Sequence, residues 1–297
     1  TCKQPFSTFV PKMNKLKIAV QKSGRLSEKS VQLLRECGIS LSNGDRKLKM
    51  DAGNFPIEVL FLRDDDIPQY VEQGVADVGI LGENEVWEKD KNVTIVEKLG
   101  FAACRLSLTI PKDEIYTGPA YFRGKRVATS YPRILRRFFE EKQVDAAVEE
   151  IGGSVEIAPG IGLADGIFDI VSTGSTLLMN GLKEVEVVVK SEAVLISHPH
   201  LDEAKRHILD KILFRIRAVR NSAQNKYILL NAPNAAISQI ARILPGMKSP
   251  TVLPLLEEGW SSIHSVVPED DFWDVIDELK NLGAQGILVI PIEKMVL

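Results

Sequence analysis

The sequence predicts an α/β protein that carries a separate α/β module at its carboxyl end. Three observations lead there. Short, β-branched apolar runs recur, each followed by a polar, glycine-containing turn and then a helical pattern. These strand–turn–helix units fall into two blocks, residues 14–107 and 108–190. From Lys226 the order becomes β-α-β-β-α-β, the ferredoxin-like arrangement, over residues 225–297.

At 297 residues the chain has room for two or three domains, at ~100–150 residues each. A net charge of −3 leaves no basic excess for a nucleic-acid backbone, so no nucleic-acid partner is expected. Cys2, Cys37 and Cys104 are odd in number and lack a Cys-x-x-Cys pair. This argues against a disulfide framework or a zinc site and fits a reducing, cytoplasmic compartment. No apolar run approaches ~18 residues, so no membrane-spanning helix is expected. Thr1 to Lys12 lack the apolar core of a signal peptide. Met13, followed by Asn-Lys-Leu-Lys-Ile-Ala-Val, reads as a natural start, and residues 1–13 are set aside as a leader or added extension.

In chain order, Leu16 to Val20 forms the first strand. Lys22-Ser23-Gly24-Arg25 is a polar turn, and Ser27 is the expected N-cap of the helix that follows, stopped by Gly38. Lys22 and Arg25 make this turn a candidate anion site, or else they are solvated cations. Ile57 to Leu62 is the next strand. Asp64 to Asp66 sit where a helix begins and suit its positive end better than a metal, so Asp66 is read as structural. Arg63 is a cation at the carboxyl end of a strand, where open α/β sheets face their ligands. Asp77 to Gly82 repeats the strand and glycine turn, and Val93 to Val96 adds a strand.

Cys104 to Ile110 leads through Pro111 into a Thr-, Gly- and Pro-rich loop, Asp113 to Pro119, the expected crossing into a second lobe. After Gly124 come a strand, the turn Ser130-Tyr131-Pro132 and a basic helix. Proline holds Tyr131 out of the α region, so its ring either enters a cleft or decorates a surface turn. Ile167 to Val171 is a buried strand. It ends in Ser172-Thr173-Gly174-Ser175-Thr176, and Leu177 to Met179 resume as a short helix. Strand, small polar turn and helix start aim several N–H groups at one point, which suits a phosphate. Gly174 permits a positive φ. Asp169 at the strand end can hold ribose hydroxyls or a Mg²⁺ that travels with the ligand. The five small residues alone read equally well as an N-capped loop.

Glu184 to Lys190 is a strand, and Ser191 to Ile196 suits a return to the first block, giving 14–107 with 191–222. His207 to Arg220 is a basic connecting helix. Lys226 to Ile290 completes the last module, which has no nucleophile, metal cluster or glycine-rich phosphate turn and so reads as regulatory. The histidines at 198, 200, 207 and 264 lie outside the cleft motifs and read as surface or structural.

The spacing of Glu156, Gly162, Ala164, Ile167, Asp169, Thr173, Gly174, Thr176 and Leu177 resembles the signature of the ATP phosphoribosyltransferases, the first enzymes of histidine biosynthesis. Lys22-Ser23-Gly24-Arg25-Leu26-Ser27 and Ala128-Thr129-Ser130-Tyr131-Pro132 are similar to that family's cleft segments. The resemblance runs from Leu16 to Met295. It implies a two-lobed fold like the periplasmic binding proteins with a C-terminal amino-acid-sensing (ACT-like) domain, a topology that periodicity alone does not select. It implies transfer of phosphoribosyl from phosphoribosyl pyrophosphate to N1 of ATP, with Mg²⁺, and feedback inhibition by histidine. It also implies a homo-oligomer of dimers that assemble to hexamers.

By that resemblance Asp169, Ser172, Thr173, Gly174, Ser175 and Thr176 take phosphoribosyl pyrophosphate. Lys22, Ser23, Gly24, Arg25, Arg63, Asp77 and Tyr131 take ATP or pyrophosphate. Arg25, Asp169 and Glu156 are the catalytic candidates, and Glu156 and Asp169 the metal candidates. Asn231, Met247, Thr251 and Gly286 surround the inhibitor. Displacement of pyrophosphate needs positioning and charge stabilisation more than a protein nucleophile, which agrees with the lack of a triad. Two other classes stay open: a two-lobed binding module, which would carry a signal peptide or a DNA-binding segment, and an allosteric sensor that regulates a partner.

Overall fold

A computed structural model describes residues 15–41, 48–172, 174–244 and 246–297. The leader segment 1–13 and Thr173 lie outside the described residues. The chain forms two compact units. One comprises the chain up to Arg35 with Ile39–Leu209, the other Glu36–Gly38 with Asp210–Leu297.

The first unit contains two sheets. In order along the chain, β1 (Leu16–Gln21), α1 (Arg25–Glu36), β2 (Lys49–Asp51), β3 (Ile57–Leu62), α2 (Ile67–Glu72), β4 (Val78–Gly82), α3 (Glu83–Lys89) and β5 (Thr94–Lys98) build the first lobe. β6 (Cys104–Pro111), β7 (Arg126–Thr129), α4 (Pro132–Glu141), β8 (Ala147–Glu150), β9 (Gly166–Val171), α5 (Ser175–Met179) and β10 (Leu182–Ser191) build the second. β11 (Ala193–Ser197) returns to the first lobe, and α6 (Glu203–Ala223) follows. The sheet orders are β2-β3-β1-β4-β11-β5 and β10-β6-β9-β7-β8. This is a two-lobed α/β core with a double crossover, the periplasmic-binding-protein arrangement.

Burial explains the strand patterns. β1, β4 and β11 are buried almost throughout, as central strands of a covered sheet must be, so they read as unbroken apolar runs; β1 and β4 run parallel and β11 antiparallel to β4 and β5. The second lobe packs Phe122, Leu135, Phe138, Phe139 and Phe168 into one aromatic core. Ala128, Ala158, Ala164, Ile167, Val171 and Leu177 make a second cluster, which joins residues of β7, β9 and α5.

Three expectations change. β6 pairs along its whole length with β9 and β10, so the crossing lies at 100–103 and not in the Asp113–Pro119 loop. The second lobe therefore begins at Cys104 and ends with Ser191. The two crossing strands are tied together: Ala193 N–H donates to Phe101 O (2.9 Å) and Gly100 N–H to the Glu192 carboxylate (2.9 Å). From Asp210, α6 belongs to the second unit, where Ser222 Oγ donates to Glu293 O (2.9 Å) and Met295 N–H to Ala218 O (2.9 Å). Ser27 does not cap α1. The helix already starts at Arg25, and Ser27 is buried inside it.

The second unit adds β12 (Asn225–Pro233), α7 (Ile237–Ile243), β13 (Thr251–Pro254), β14 (Trp260–Pro268), α8 (Glu269–Asn281) and β15 (Gln285–Pro291). Their antiparallel order, β13-β14-β12-β15, is the ferredoxin-like (ACT-like) sheet. Ile228, Leu230, Ile240, Ile263, Phe272 and Leu279 fill its core. His264 is held by Tyr227 Oη (2.7 Å) on one ring nitrogen and Ser262 Oγ (3.1 Å) on the other.

Candidate active site

β1, β3 and β4 run parallel, so Gln21, Leu62 and Gly82 end at one edge of the first sheet. β7 and β9 run parallel in the second lobe, so Thr129 and Val171 end together there. Turns leave both edges. Between them lies a cleft of about 410 Å³, lined by Gln21, Arg25, Leu26, Lys29, Asp64, Gly82, Asn84 and Glu85 from the first lobe. Ala102, Ala103 and Cys104 at the crossing and Tyr131, Ile170 and Ser172 from the second lobe complete it.

The centre of the cleft is a buried polar network. Asn84 Nδ2 donates to Glu85 Oε1 (3.0 Å) and to Tyr131 Oη (3.3 Å), and Tyr131 Oη donates to Glu85 Oε1 (3.1 Å). Ser191 Oγ donates to Asn84 Oδ1 (2.8 Å) and accepts from Asn84 N–H (3.0 Å). Burial, then the negative charge of Asp64, pushes the Glu85 carboxyl up to about 7, against a weaker opposing pull from Tyr131 and Lys89. The Tyr131 phenol rises above its usual range, through burial first and then the neighbouring Glu85 and Asp169 charges. Beside the network, Glu88 of α3 accepts from the N–H groups of Arg133 and Ile134 (3.0 Å each) at the start of α4.

At the other end is the Ser172–Thr176 turn. Gly174 has φ +78°, a conformation L side chains rarely adopt, and it leads directly into α5. Arg105 on β6 braces the turn by donating to Ser172 O (3.1 Å), while Glu184 on β10 holds the guanidinium through a 2.6 Å bond. Ser107 Oγ also donates to Glu184 (2.6 Å), and these donors keep the Glu184 carboxyl below its ordinary range. Burial raises Asp169 to about 6. The Ile170 N–H bond opposes this (2.8 Å), and the charge of Glu156, in the 3-10 turn Val155–Ile157, adds to it.

No group of three or more His, Cys, Asp or Glu among the described residues could hold a metal alone. The charge of Glu156 acts on Asp169, and two carboxylates supply hard oxygen donors of the kind a divalent cation takes.

The structure therefore brings Arg25, Tyr131, Asp169 and Ser172 to one region, with Gly174, Ser175 and Thr176 following Ser172. Lys22, Ser23 and Gly24 are exposed at the rim, and Gly24 needs its positive φ (+91°). Asp77 is not in the cleft. It precedes β4, at the opposite edge of the sheet, where it accepts from Lys17 N–H (2.8 Å) and pairs with Lys205 (2.8 Å). Arg63 sits at the carboxyl edge but points to Asp65 (3.2 Å), is largely exposed and does not line the cleft. Sequence reasoning missed Gln21, Lys29, Asp64, Asn84, Glu85 and Arg105. Its one available signal was the polar triplet Glu83-Asn84-Glu85 after a strand-ending glycine.

A larger cavity, about 620 Å³, opens beside α4 and is lined by Trp87, Arg133, Arg136 and Arg137 among others. Its charges are largely internal: Arg133 pairs with Asp90 and Arg137 with Glu141 (3.0 Å). In the second unit, Gly286 (φ +58°) and Asn231 are neighbours, a Cβ at Gly286 falling 3.7 Å from Asn231 Nδ2. Thr251 is on β13, the opposite edge strand, and Met247 is exposed in the loop before it.

Comparison with known proteins gives a consistent result. A family model described as ATP phosphoribosyltransferase matches residues 63–218, and one described as HisG, C-terminal domain, matches residues 223–294. The ATP phosphoribosyltransferase of Cytophaga hutchinsonii is 58% identical over 281 residues, covering 95% of this chain and 98% of that protein. That of Bacteroides thetaiotaomicron is 56% identical over 281 residues, covering 95% and 99%. Among solved structures, a chain of the ATP phosphoribosyl transferase (HisG:HisZ) complex from Thermotoga maritima superposes with a TM-score of 0.59 at 29% identity, covering 68% of this chain and 96% of that one.

Proposed function

Because the chain belongs to the ATP phosphoribosyltransferase family, the pentosyltransferases of histidine biosynthesis, we propose that its cleft joins N1 of ATP to the anomeric carbon of phosphoribosyl pyrophosphate. The observation that carries this reading is a cleft lined by Arg25 and Lys29 from the first lobe and, from the second, by Ser172, which leaves β9 just before the positive-φ Gly174 and α5. The turn's amides and hydroxyls take the 5′-phosphate. Asp169 accepts from the ribose hydroxyls, and Glu156 and Asp169 would hold Mg²⁺. Bound there, Mg²⁺ would supply charge neutralisation to the pyrophosphate.

The adenine N1 lone pair forms the new C–N bond as the anomeric C–O bond breaks, and that electron pair leaves on pyrophosphate. Arg25 and Lys29, with Lys22 at the rim, hold this growing negative charge, while the cleft walls keep the reacting atoms aligned. ATP meets the Tyr131 end of the cleft. Release of pyrophosphate that requires both substrates and Mg²⁺ is the expected outcome; release without ATP would reduce the chain to a hydrolase and overturn the reading.

The C-terminal unit is proposed as the histidine sensor, with Asn231, Gly286, Thr251 and Met247 as its contacts. Two of these residues, Thr251 on β13 and Gly286 on β15, lie on opposite edge strands, which favours a ligand site completed by assembly of copies into dimers and hexamers. A cytoplasmic location follows from the two substrates. Among the described residues no helix is long and apolar enough to cross a membrane. Sedimentation and pyrophosphate release with and without histidine test this part. Activity that ignores histidine would remove the sensor role.

A further inference from the structure

We propose that Glu85 is a positioning residue for the nucleotide: by accepting the Tyr131 hydroxyl's hydrogen bond it pins the second lobe's ring to the first lobe's wall, and so sets nucleotide affinity. The inference rests on the reading of this cleft as an ATP site.

The first-lobe side of the contact is a fixed template. Asn84 and Glu85 are 4% and 7% exposed, and Ser191 holds Asn84 through both its backbone N–H and its side-chain oxygen. The second-lobe side is held as well. Pro132 restricts Tyr131, whose own N–H donates to Thr129 Oγ1 (2.8 Å), and Glu88 fixes the helix start just beyond. Glu85 is the ionisable group that joins these two supports while lining the cleft itself. Among the described residues its hydrogen bonds run to Asn84 and Tyr131, on the nucleotide side of the cleft, so its effect is expected on one substrate.

The groups facing it set its charge near neutral pH. Asp64 and Asp65, from the 3-10 turn after β3, raise it; Lys89 of its own helix and the Tyr131 hydroxyl lower it; Asp169 of β9 acts on Tyr131. Burial is the largest influence and pushes it up to about 7. The ionised carboxylate is the stronger acceptor, so the contact tightens as pH rises through that value.

The test uses the full chain and its pyrophosphate release. With Glu85→Gln, the KM for ATP is expected to rise about tenfold at pH 8, the worth of one charge-assisted hydrogen bond, with smaller changes in kcat and in the KM for phosphoribosyl pyrophosphate. The fall in the parent's KM for ATP across pH 7 should vanish in the variant. Tyr131→Phe removes the same bond from the other lobe, and the double variant should be no weaker than either single one. If Glu85→Gln does not fold, Tyr131→Phe alone carries the KM and pH comparison. A parent chain that turns over, with variants that keep its KM and pH profile, overturns the role of Glu85. A parent chain that releases no pyrophosphate from the two substrates overturns the ATP reading beneath it.

Discussion

The two walls of the cleft share one layout and use opposite chemistry. Each is a parallel strand, a glycine turn with positive φ, and a helix start. On the first lobe the turn leads into α1, a twelve-residue helix, and presents Lys22, Arg25 and Lys29. On the second it leads into α5, only five residues long, and presents hydroxyls and amides with no cation. On the proposed reading, the same strand–turn–helix edge serves an anion in either lobe, and its side chains decide which kind. A charge that grows during reaction calls for fixed cations. A phosphate that must be gripped before reaction and released afterwards is served by neutral donors.

The largest effect should come from breaking the neutral wall. Gly174→Val forces a β-branched residue to φ +78°, and it should raise the KM for phosphoribosyl pyrophosphate by ~100-fold or more, measured by pyrophosphate release. Unchanged affinity would show that the turn does not hold the substrate. On the charged wall, Arg25→Ala should lower kcat by ~30-fold while the KM for phosphoribosyl pyrophosphate moves little, since the lost interaction matters as the leaving group departs. A pure KM effect would put Arg25 in ground-state binding instead.

Asp169→Asn sharpens the comparison through pH. With its carboxyl raised to about 6 in the metal-free chain, the parent enzyme should take up Mg²⁺ and phosphoribosyl pyrophosphate less well, and lose kcat/KM, as pH falls through that value and the group takes up a proton. The variant should be ~10-fold slower at pH 8 and should lack this acid limb. The smallest effect on catalysis belongs to Asp77→Asn, at the far edge of the sheet. Both KM values should stay within about twofold, while thermal unfolding shows a loss of ~1–3 kcal/mol from the buried contacts with Lys17 N–H and Lys205. A large KM change would return Asp77 to the cleft.

The backbone of the second wall was legible in the sequence because it is local. A glycine between a β-branched run and a short apolar helix marks the turn, and Gly174 does adopt the positive φ expected of it, directly before α5. The first wall was only half legible. Glu85, Asn84 and Asp64 become a site only when α3 meets the Tyr131 turn of the other lobe, a contact 46 residues away along the chain for Glu85. Asp77 was placed in the cleft by the resemblance; the parallel register of β1 and β4 puts it at the other end of its strand from the ligand edge. The Asp113–Pro119 loop misled too. Its Pro and Gly mark a break in the chain, but the sheet that the preceding strand joins depends on pairing with β9 and β10, far along the chain.

The carboxylate of Glu88 gives α4 something its own sequence lacks. Tyr131 offers the helix no side-chain cap, and the acceptor for the first free amides comes from the opposite lobe. Parting the lobes therefore frays the first turn of α4, exposing two N–H groups to solvent at the same moment. Amide deuteration at Arg133 and Ile134 should thus serve as a built-in gauge of how often the halves swing apart, slowing when substrates hold them shut and quickening in Glu88→Ala.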